Sequence, residues 1–194
     1  MNVDVVTAKQ RGRSMLGVSA TVAISLVLTG CGSVGNKSSE EKLGYTPKVQ
    51  EIQTSKNQVN DISSRILDWM GVTGKTTEAS AAAGICEAVD PDFKKYYLIH
   101  HPWSVYDVKD GSFQQAMENI RRELPKHGWK ITRDGHTDSA ARNPEIVAVN
   151  EKSHHTATIE WAKNRSGNLK QIISVDVNSR CYRAPEGTDM SKDR

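Results

Sequence analysis

Residues 155–177, HTATIEWAKNRSGNLKQIISVDV, carry the clearest structural pattern in the chain. Apolar side chains occupy every second position on both sides of a polar centre: Ala157, Ile159 and Trp161 before it, and Ile173, Val175 and Val177 after it. A period of two residues is typical of a β-strand with one buried face. The pattern predicts strands over 155–163 and 169–177, joined by a hairpin loop at 164–168.

Four further strands are predicted before this hairpin. Two of them, 129–133 and 145–150, are rich in β-branched and aromatic residues. Two more lie near 85–89 and 96–108, and we expect Pro102 to break the second, because proline cannot donate a ladder hydrogen bond. Consecutive strands with short links indicate antiparallel pairing.

Two helices are predicted from apolar residues at helical spacing. The first lies between Thr54 and Gly71, and its apolar stripe consists of Val59, Ile62, Ile66 and Trp69. The second begins at an S-x-x-Q capping box of Ser112 and Gln115. Its stripe consists of Phe113, Met117, Ile120 and Leu124. We expect Pro125 to kink this helix or end it early, and Gly128 to stop it.

Together these elements predict an α+β fold, with two helices packed on one face of a curved antiparallel sheet of four to six strands. This fold is expected to form a single domain over residues 49–182. The small and polar segment 71–84 is predicted to be a loop. Residues 183–194 are predicted to be a frayed polar tail.

The composition excludes several classes of protein. Of the 194 residues, 37% are hydrophobic and 25% are charged, which suits one globular core. Only one long uncharged stretch exists, so the chain is not a multi-span membrane protein. The net charge is +3, and the segment 1–30 supplies +2 of it, since Lys9, Arg11 and Arg13 stand against Asp4. The nearly neutral remainder lacks the basic face of a nucleic-acid-binding protein, so we expect no nucleic-acid partner.

The N-terminal segment 1–30 has the layout of a secretory signal. A positive region is followed by Met15–Leu28, MLGVSATVAISLVL, which is uncharged and mostly apolar. Small residues close this run, as they do before a cleavage site. The alternative is a permanent membrane-spanning helix, but a span needs about 20 predominantly apolar residues, and this run has 14.

The end of the run, Leu28-Thr29-Gly30-Cys31, resembles the lipobox of bacterial lipoproteins. The resemblance covers only the segment that ends near Cys31, and the residue usage of the signal is similar to that of actinobacterial lipoproteins. It implies attachment of fatty acyl chains, such as palmitate, through the Cys31 sulfur and cleavage between Gly30 and Cys31. The chain is then expected on the extracytoplasmic face of the cell membrane, with the membrane itself as a partner through the lipid.

Residues 31–48 are predicted to be a flexible tether between the lipidated Cys31 and the domain. Glycine, serine, asparagine and charged residues dominate this segment, and no apolar period is present. About 16 such residues have a root-mean-square reach of roughly 20–25 Å. The domain is therefore expected just outside the lipid headgroups.

Cys86 and Cys181 are the two cysteines that remain if Cys31 carries lipid. In an oxidising compartment they are expected to form one disulfide bond. Two free buried thiols are the alternative, because sequence spacing does not establish disulfide geometry. No pair of cysteines has the spacing of a redox or zinc motif.

No metal site or cofactor is expected. The histidines form two adjacent pairs and two isolated residues, namely His100, His101, His127, His136, His154 and His155. Adjacent residues in a strand point to opposite faces, so neither pair can chelate a metal as a pair. We expect these histidines at the surface or in loops.

The aromatic segment 96–106, YYLIHHPWSVY, has two interpretations. Tyr97, His101, Trp103 and Tyr106 could form an exposed binding surface, since aromatic residues and histidine suit recognition. Alternatively, strand alternation buries Tyr97 and Ile99, and Trp103 with them. The second interpretation is favoured, because aromatic residues of a strand usually pack in the core.

The leading functional hypothesis is a lipid-anchored, non-catalytic binding or interaction module of the cell envelope, with an envelope protein as an expected partner. The alternative is an extracellular hydrolase that uses histidine and carboxylate groups. It requires a cleft where at least two of its candidates converge. These candidates are His100, His101, Asp107, His136, Asp138 and His155. A carrier of apolar ligands ranks last, because it needs an enclosed apolar cavity that a core of this size can hardly contain.

Overall fold

The computed structural model describes residues 37–163, 165–167 and 169–193. The predicted signal, together with Gly30 and Cys31, lies outside the described residues. Within the described part of the chain, no helix has both the length and the apolarity needed to cross a membrane. These residues belong to one compact unit, Lys37–Arg194.

An antiparallel sheet of eight strands is the largest structural element of the unit. The strands are β1 (Thr73–Thr76), β2 (Ala82–Ile85), β3 (Tyr96–Asp110), β4 (Trp129–His136), β5 (Pro144–Asn150), β6 (Thr156–Ala162), β7 (Ile172–Asn178) and β8 (Tyr182–Arg183). Their order is β1-β3-β7-β6-β5-β4, and the short strands β2 and β8 also pair with β3. The predicted α+β class is confirmed, and the sheet exceeds the expected four to six strands by its short edge pieces.

Three helices accompany the sheet: α1 (Ser39–Leu43), α2 (Ile52–Met70) and α3 (Phe113–Lys126). Side chains of α2 and α3 share one apolar core with alternate residues of β3, β5, β6 and β7. The two long helices therefore cover one face of the sheet, as predicted. Asn119 of α3 donates from Nδ2 to the Met70 carbonyl at 2.7 Å, which ties the end of α2 to α3.

The predicted start of α3 is confirmed. Ser112 is the N-cap, and its Oγ accepts a hydrogen bond from the Gln115 backbone N–H at 3.1 Å. This bond satisfies one of the free N–H groups of the first helical turn. The helix ends at Lys126, one residue after Pro125, and Gly128 follows with φ of +78°.

The prediction of a loop over residues 71–84 was wrong. This segment contains β1 and most of β2, which pair with the two halves of β3. All four residues of β1 are exposed, so the strand is held by backbone hydrogen bonds and shows no apolar alternation. The predicted strand over 85–89 is displaced as well, because β2 ends at Ile85 and Cys86 forms only an isolated bridge to Asp90.

Pro102 does not interrupt β3. Ser104 exchanges hydrogen bonds with Thr77, so even-numbered residues of this part of β3 direct their backbone groups toward β1 and β2. Pro102 lies between the end of β2, at Ala82 opposite His100, and this contact. No strand needs an N–H donor at that position, and proline is tolerated at such unpaired edges.

The segments on both sides of the predicted domain are more ordered than expected. Within the described part of the predicted tether, α1 begins at the capping box of Ser38, and Tyr45 accepts a hydrogen bond from the Cys181 N–H. In the predicted tail, Met190 is buried at 4% exposure and begins a 3₁₀ turn. Asp193 of this turn forms an ion pair with Lys56 of α2 at 2.7 Å.

Cys86 and Cys181 form a disulfide bond, as predicted, with their Cα atoms 5.8 Å apart. The bond links the end of β2 to the segment between β7 and β8. It closes a sequence separation of 95 residues, so a large part of the sheet lies within the covalent loop. The alternative of two free thiols does not describe this structure.

Candidate ligand-binding cleft

A cleft of about 500 Å³ lies between α2 and one end of the sheet. We call it the α2–sheet cleft. Its walls come from one side of α2, the junction of α3 and β4, the β5–β6 turn and the segment that follows β7. The segment before α2 also contributes Lys48 and Gln50, so five distant parts of the chain meet here.

The charged groups of the α2–sheet cleft are mostly cationic. Lys48, Arg65, Lys152 and Arg180 line it, and Asp61 is the single carboxylate among its lining residues. Among the ion pairs of the described residues, none involves these five side chains. An excess of unpaired cations in a concave site attracts anions, because the low-dielectric walls concentrate the field.

Aromatic rings form another wall of the cleft. The ring of Trp69, in the last turn of α2, stacks on His127 with centroids 4.4 Å apart and planes 8° from parallel. His127 is the C-cap of α3, and Trp129, which begins β4, is almost fully buried beside it. The stack gives the cleft a flat apolar surface next to its cations.

The β5–β6 turn places Lys152, Ser153 and His155 in the cleft. Asn150 organises the turn, since its Oδ1 accepts hydrogen bonds from the Lys152 N–H, the Ser153 N–H and the Ser153 hydroxyl. His154 has a φ of +58°, and its backbone N–H donates to the Asn150 carbonyl. His154 is exposed whereas His155 is buried, and both residues precede β6, so the predicted alternation of a strand does not apply to this pair.

His155 is the most unusual polar group of the cleft. Its residue is only 2% exposed, and neither ring nitrogen has a hydrogen-bond partner among the described residues. Burial, followed by the positive charge of Arg180, lowers the pKa of His155 to about 4, and hydrogen bonding by the Ser153 backbone opposes this shift. The ring is therefore neutral at neutral pH, with one N–H donor and one nitrogen acceptor.

Arg180 is held at the cleft by its neighbours on both sides. The Ser179 backbone N–H donates to the Ile99 carbonyl at 2.8 Å, and the Ser179 Oγ accepts from the Ile99 N–H at 2.8 Å. On the other side, Cys181 is fixed by the disulfide and by the hydrogen bond of its N–H to Tyr45 Oη at 2.9 Å. This support orders the backbone that carries the guanidinium group.

The aromatic residues predicted as a binding surface lie mostly in the core. Tyr97 is fully buried, Trp103 is 6% exposed and His101 is 8% exposed, whereas Tyr106 is half-buried. These side chains therefore do not form an exposed surface, and the core interpretation describes the first three. The reason is that α2 covers odd-numbered residues of β3, as the bond between His101 Nδ1 and Ser63 Oγ at 2.9 Å shows.

The candidates for hydrolase chemistry are spread over the fold. His155 is the one candidate among the residues that line the α2–sheet cleft. His101 is buried against α2. Asp107 lies near the C-terminal end of β3, where it pairs with Lys75 and Lys170. Among the described residues, no group of three or more histidine, cysteine, aspartate or glutamate side chains could hold a metal ion.

The sequence contained a signal for His155 that the prediction of surface histidines missed. Residues 155, 157, 159 and 161 share one parity, and Ala157 and Ile159 face the core. Extending the alternation backward by two residues places His155 on the same buried side. His101 is buried for the same reason, because it lies between the buried residues Ile99 and Trp103 of β3.

Neither a protein-family model, nor a curated protein, nor a solved structure matches the chain at a significant level.

Proposed function

We propose that the chain is a lipoprotein anchored to the extracytoplasmic face of the cell membrane, and that its folded unit is a non-catalytic binding module. The observation that carries the binding role is the α2–sheet cleft, where unpaired cations and stacked rings surround a space of about 500 Å³. Small-molecule sites have this size and combine apolar walls with a few polar groups. The ligand enters this cleft, beside Arg65 and Trp69.

The lipid anchor is supported by the N-terminal sequence. Leu28-Thr29-Gly30-Cys31 follows an apolar run directly, in the arrangement of a lipobox. Acyl chains stabilise membrane binding by about 0.8 kcal/mol for each buried CH₂ group, so two or more chains hold a protein firmly. An oxidising compartment also suits the disulfide between Cys86 and Cys181.

The anchor keeps the folded unit close to the bilayer. The described residues begin at Lys37, just before α1, and Lys37 is only six residues beyond Cys31. Six residues span at most about 20 Å, even when fully extended. From α1 the chain passes Tyr45 and reaches Lys48, which lines the cleft. The proposed ligand is therefore a molecule available at the membrane surface.

The anchor is tested by metabolic labelling with radioactive palmitate. The wild-type chain is expected in the membrane fraction with label attached, whereas the Cys31→Ala variant remains an unlabelled precursor that keeps its signal. Label that still enters the Cys31→Ala chain would contradict the assignment of Cys31. A native chain found in the cytosol with the segment 1–30 intact would overturn the proposed location.

The binding role is tested by native mass spectrometry of the full chain purified from its own membranes. We expect a small molecule bound to the wild type and lost from Trp69→Ala. Trp161→Ala is the matched control, since Trp161 packs against Phe113 away from the cleft. A ligand that Trp69→Ala retains as well as the control does would place binding elsewhere, and a wild type without any ligand would contradict the binding role.

A further inference from the structure

We propose that the α2–sheet cleft binds a small phosphate monoester, held by Arg65, Lys152 and Arg180, with His155 as a further hydrogen-bond donor. This inference deepens the proposed binding role and rests on it. It names the chemistry of the ligand, and it concerns residues that approach each other only in the folded chain.

The charge of the cleft favours an anionic ligand. Four cations and one carboxylate line it, and the described residues offer these cations no ion-pair partner within 4 Å. The excess suits a ligand with more than one negative charge. A phosphate monoester carries between one and two negative charges near pH 7 and presents three terminal oxygens.

His155 supplies an observation that does not depend on the charge of the cleft. A buried polar side chain almost always has a hydrogen-bond partner, yet neither ring nitrogen of this residue has a partner that meets hydrogen-bond geometry, the Ser153 backbone included. His155 lines the cleft, but both of its ring nitrogens are buried, so its N–H reaches a ligand oxygen only when the side chain turns toward the cleft. A ligand oxygen thus removes the cost of leaving this donor unpaired.

The side chains that line the cleft suit a phosphate group by the number of their donors. Arg65 and Arg180 can each donate two parallel hydrogen bonds to phosphate oxygens, and Lys152 adds a mobile point charge. Donors that line one cleft from α2, the β5–β6 turn and the segment after β7 suit three terminal oxygens better than the two of one carboxylate. The Trp69–His127 stack then lies beside the uncharged part of the ester.

The test is isothermal titration calorimetry of the full chain in an uncharged detergent, with glycerol 3-phosphate as the probe. Glycerol is the uncharged control and succinate the dicarboxylate control. We expect glycerol 3-phosphate to bind, more weakly as salt is added, glycerol not to bind, and succinate to bind more weakly than the phosphate. Equal binding of glycerol, or tighter binding of succinate, would overturn the proposal.

Variants assign the binding to the cleft. Arg65→Ala and Arg180→Ala are each expected to weaken the binding of glycerol 3-phosphate by about tenfold or more, as the loss of a charged hydrogen bond does. Arg122→Ala is the matched control, because Arg122 is exposed on α3, pairs with Glu123 and does not line the cleft. An equal effect of all three substitutions would overturn the assignment.

His155 is tested by two substitutions that differ in hydrogen bonding. His155→Gln keeps an N–H donor and is expected to bind the phosphate more tightly than His155→Leu, which has none. Circular dichroism checks that both variants fold. Equal affinity of the two folded variants would overturn the role of His155 as a donor.

The source of the phosphate is distinguished with the chain reconstituted in nanodiscs. If the ligand is a lipid headgroup, phosphatidic acid added to phosphatidylcholine discs is expected to compete with glycerol 3-phosphate. If the ligand is a soluble phosphate ester, phosphatidic acid is expected to leave the titration unchanged. Either result supports a phosphate site. A chain that carries lipid but binds no phosphate monoester would overturn this inference alone. A native chain that binds a phosphate monoester but carries no covalent lipid would contradict the proposed anchor alone.

Discussion

The guanidinium group of Arg180 lies over the ring of Tyr45, with its central carbon 5.1 Å from the ring centroid. The Tyr45 hydroxyl also accepts the backbone N–H of Cys181, at 2.9 Å. One side chain from the segment before α2 thus supports both a cation of the cleft and the backbone beside the disulfide. The segment predicted as a tether is therefore part of the site.

Two substitutions at Tyr45 separate these contributions. Tyr45→Phe removes the acceptor of the Cys181 N–H but keeps the ring under Arg180, so we expect a loss of about 1 kcal/mol in the free energy of unfolding and little change in phosphate binding. Tyr45→Ala removes the ring as well, and binding is expected to weaken. Urea denaturation and calorimetry measure the two effects, and equal binding by both variants would show that the ring does not support Arg180.

The disulfide between Cys86 and Cys181 is expected to stabilise the unit strongly. It closes a separation of 95 residues, which corresponds to about 4–5 kcal/mol in the chain-entropy model. The double variant Cys86→Ser/Cys181→Ser should therefore unfold at a much lower urea concentration. Each single variant should lose as much stability as the double variant, because either change abolishes the bond.

Mass spectrometry supplies the covalent evidence for this bond. The folded chain is expected to gain the mass of two hydrogens on reduction. Two thiols that can be alkylated in the unfolded, unreduced chain would contradict the bond between Cys86 and Cys181.

Sequence patterns predicted the elements whose side chains have one buried face. β6 and β7 follow from alternation, because the core selects apolar residues at every second position. β1 escaped prediction because none of its four side chains is buried, and its pairing with β3 uses the backbone alone. A strand of that kind leaves no pattern in the sequence.

The stripe predicted for α2 was shifted relative to the core for a related reason. Ile62 and Trp69 are half-buried and line the cleft, whereas Ser55 and Ser63 face the core. These serines are buried because each bonds a polar atom of β3: Ser55 Oγ lies 2.8 Å from Tyr97 Oη, and Ser63 Oγ lies 2.9 Å from His101 Nδ1. A count of apolar residues cannot reveal such partners.

The cleft could not be predicted from the sequence, for a different reason. Arg65, His155 and Arg180 belong to elements far apart in the chain, and their meeting depends on the order of the strands and the path of α2. Only the burial of His155 left a local signal, in the parity it shares with Ala157 and Ile159. The cations of the cleft left no local signal in the sequence, because exposed cations occur throughout the chain.

Asp90 is expected to be one of the most important single side chains for stability. It is 8% exposed, and its Oδ2 accepts the backbone N–H groups of Lys94, Lys95 and Tyr96. Burial opposes its ionisation, but these three donors outweigh burial and hold the pKa of Asp90 below the usual 3.8. Asp90→Ala leaves three donors without an acceptor, so we expect a loss of about 3 kcal/mol.

The control for Asp90 is Asp92→Ala. Asp92 is two-thirds exposed and pairs with the exposed Lys94, so its removal should change stability by less than about 1 kcal/mol. Because the pKa of Asp90 is lowered on folding, its contribution is present above pH 3.8 and is lost as the pH falls through the folded value. The difference in stability between the wild type and Asp90→Ala should therefore become smaller as the pH falls through the folded pKa, and a difference that is constant at all pH values would contradict this cause.

His155 should make the unit less stable in mild acid. Its pKa falls from 6.5 to about 4 on folding, since burial and Arg180 disfavour the charged ring. The unfolded chain therefore binds more protons between these values, and the free energy of unfolding should decrease by about 3 kcal/mol as the pH falls from 6.5 to 4. Other groups titrate in the same range, so the wild type is compared with His155→Gln, which should lack this part of the slope.

Nuclear magnetic resonance measures the same property directly. The imidazole signals of His155 in the folded chain should titrate with a midpoint near pH 4. A midpoint near 6.5 would show that the ring is hydrated, and the difference in slope between the wild type and His155→Gln would then vanish. Glycerol 3-phosphate in the cleft should raise the midpoint, because a nearby negative charge favours the protonated ring.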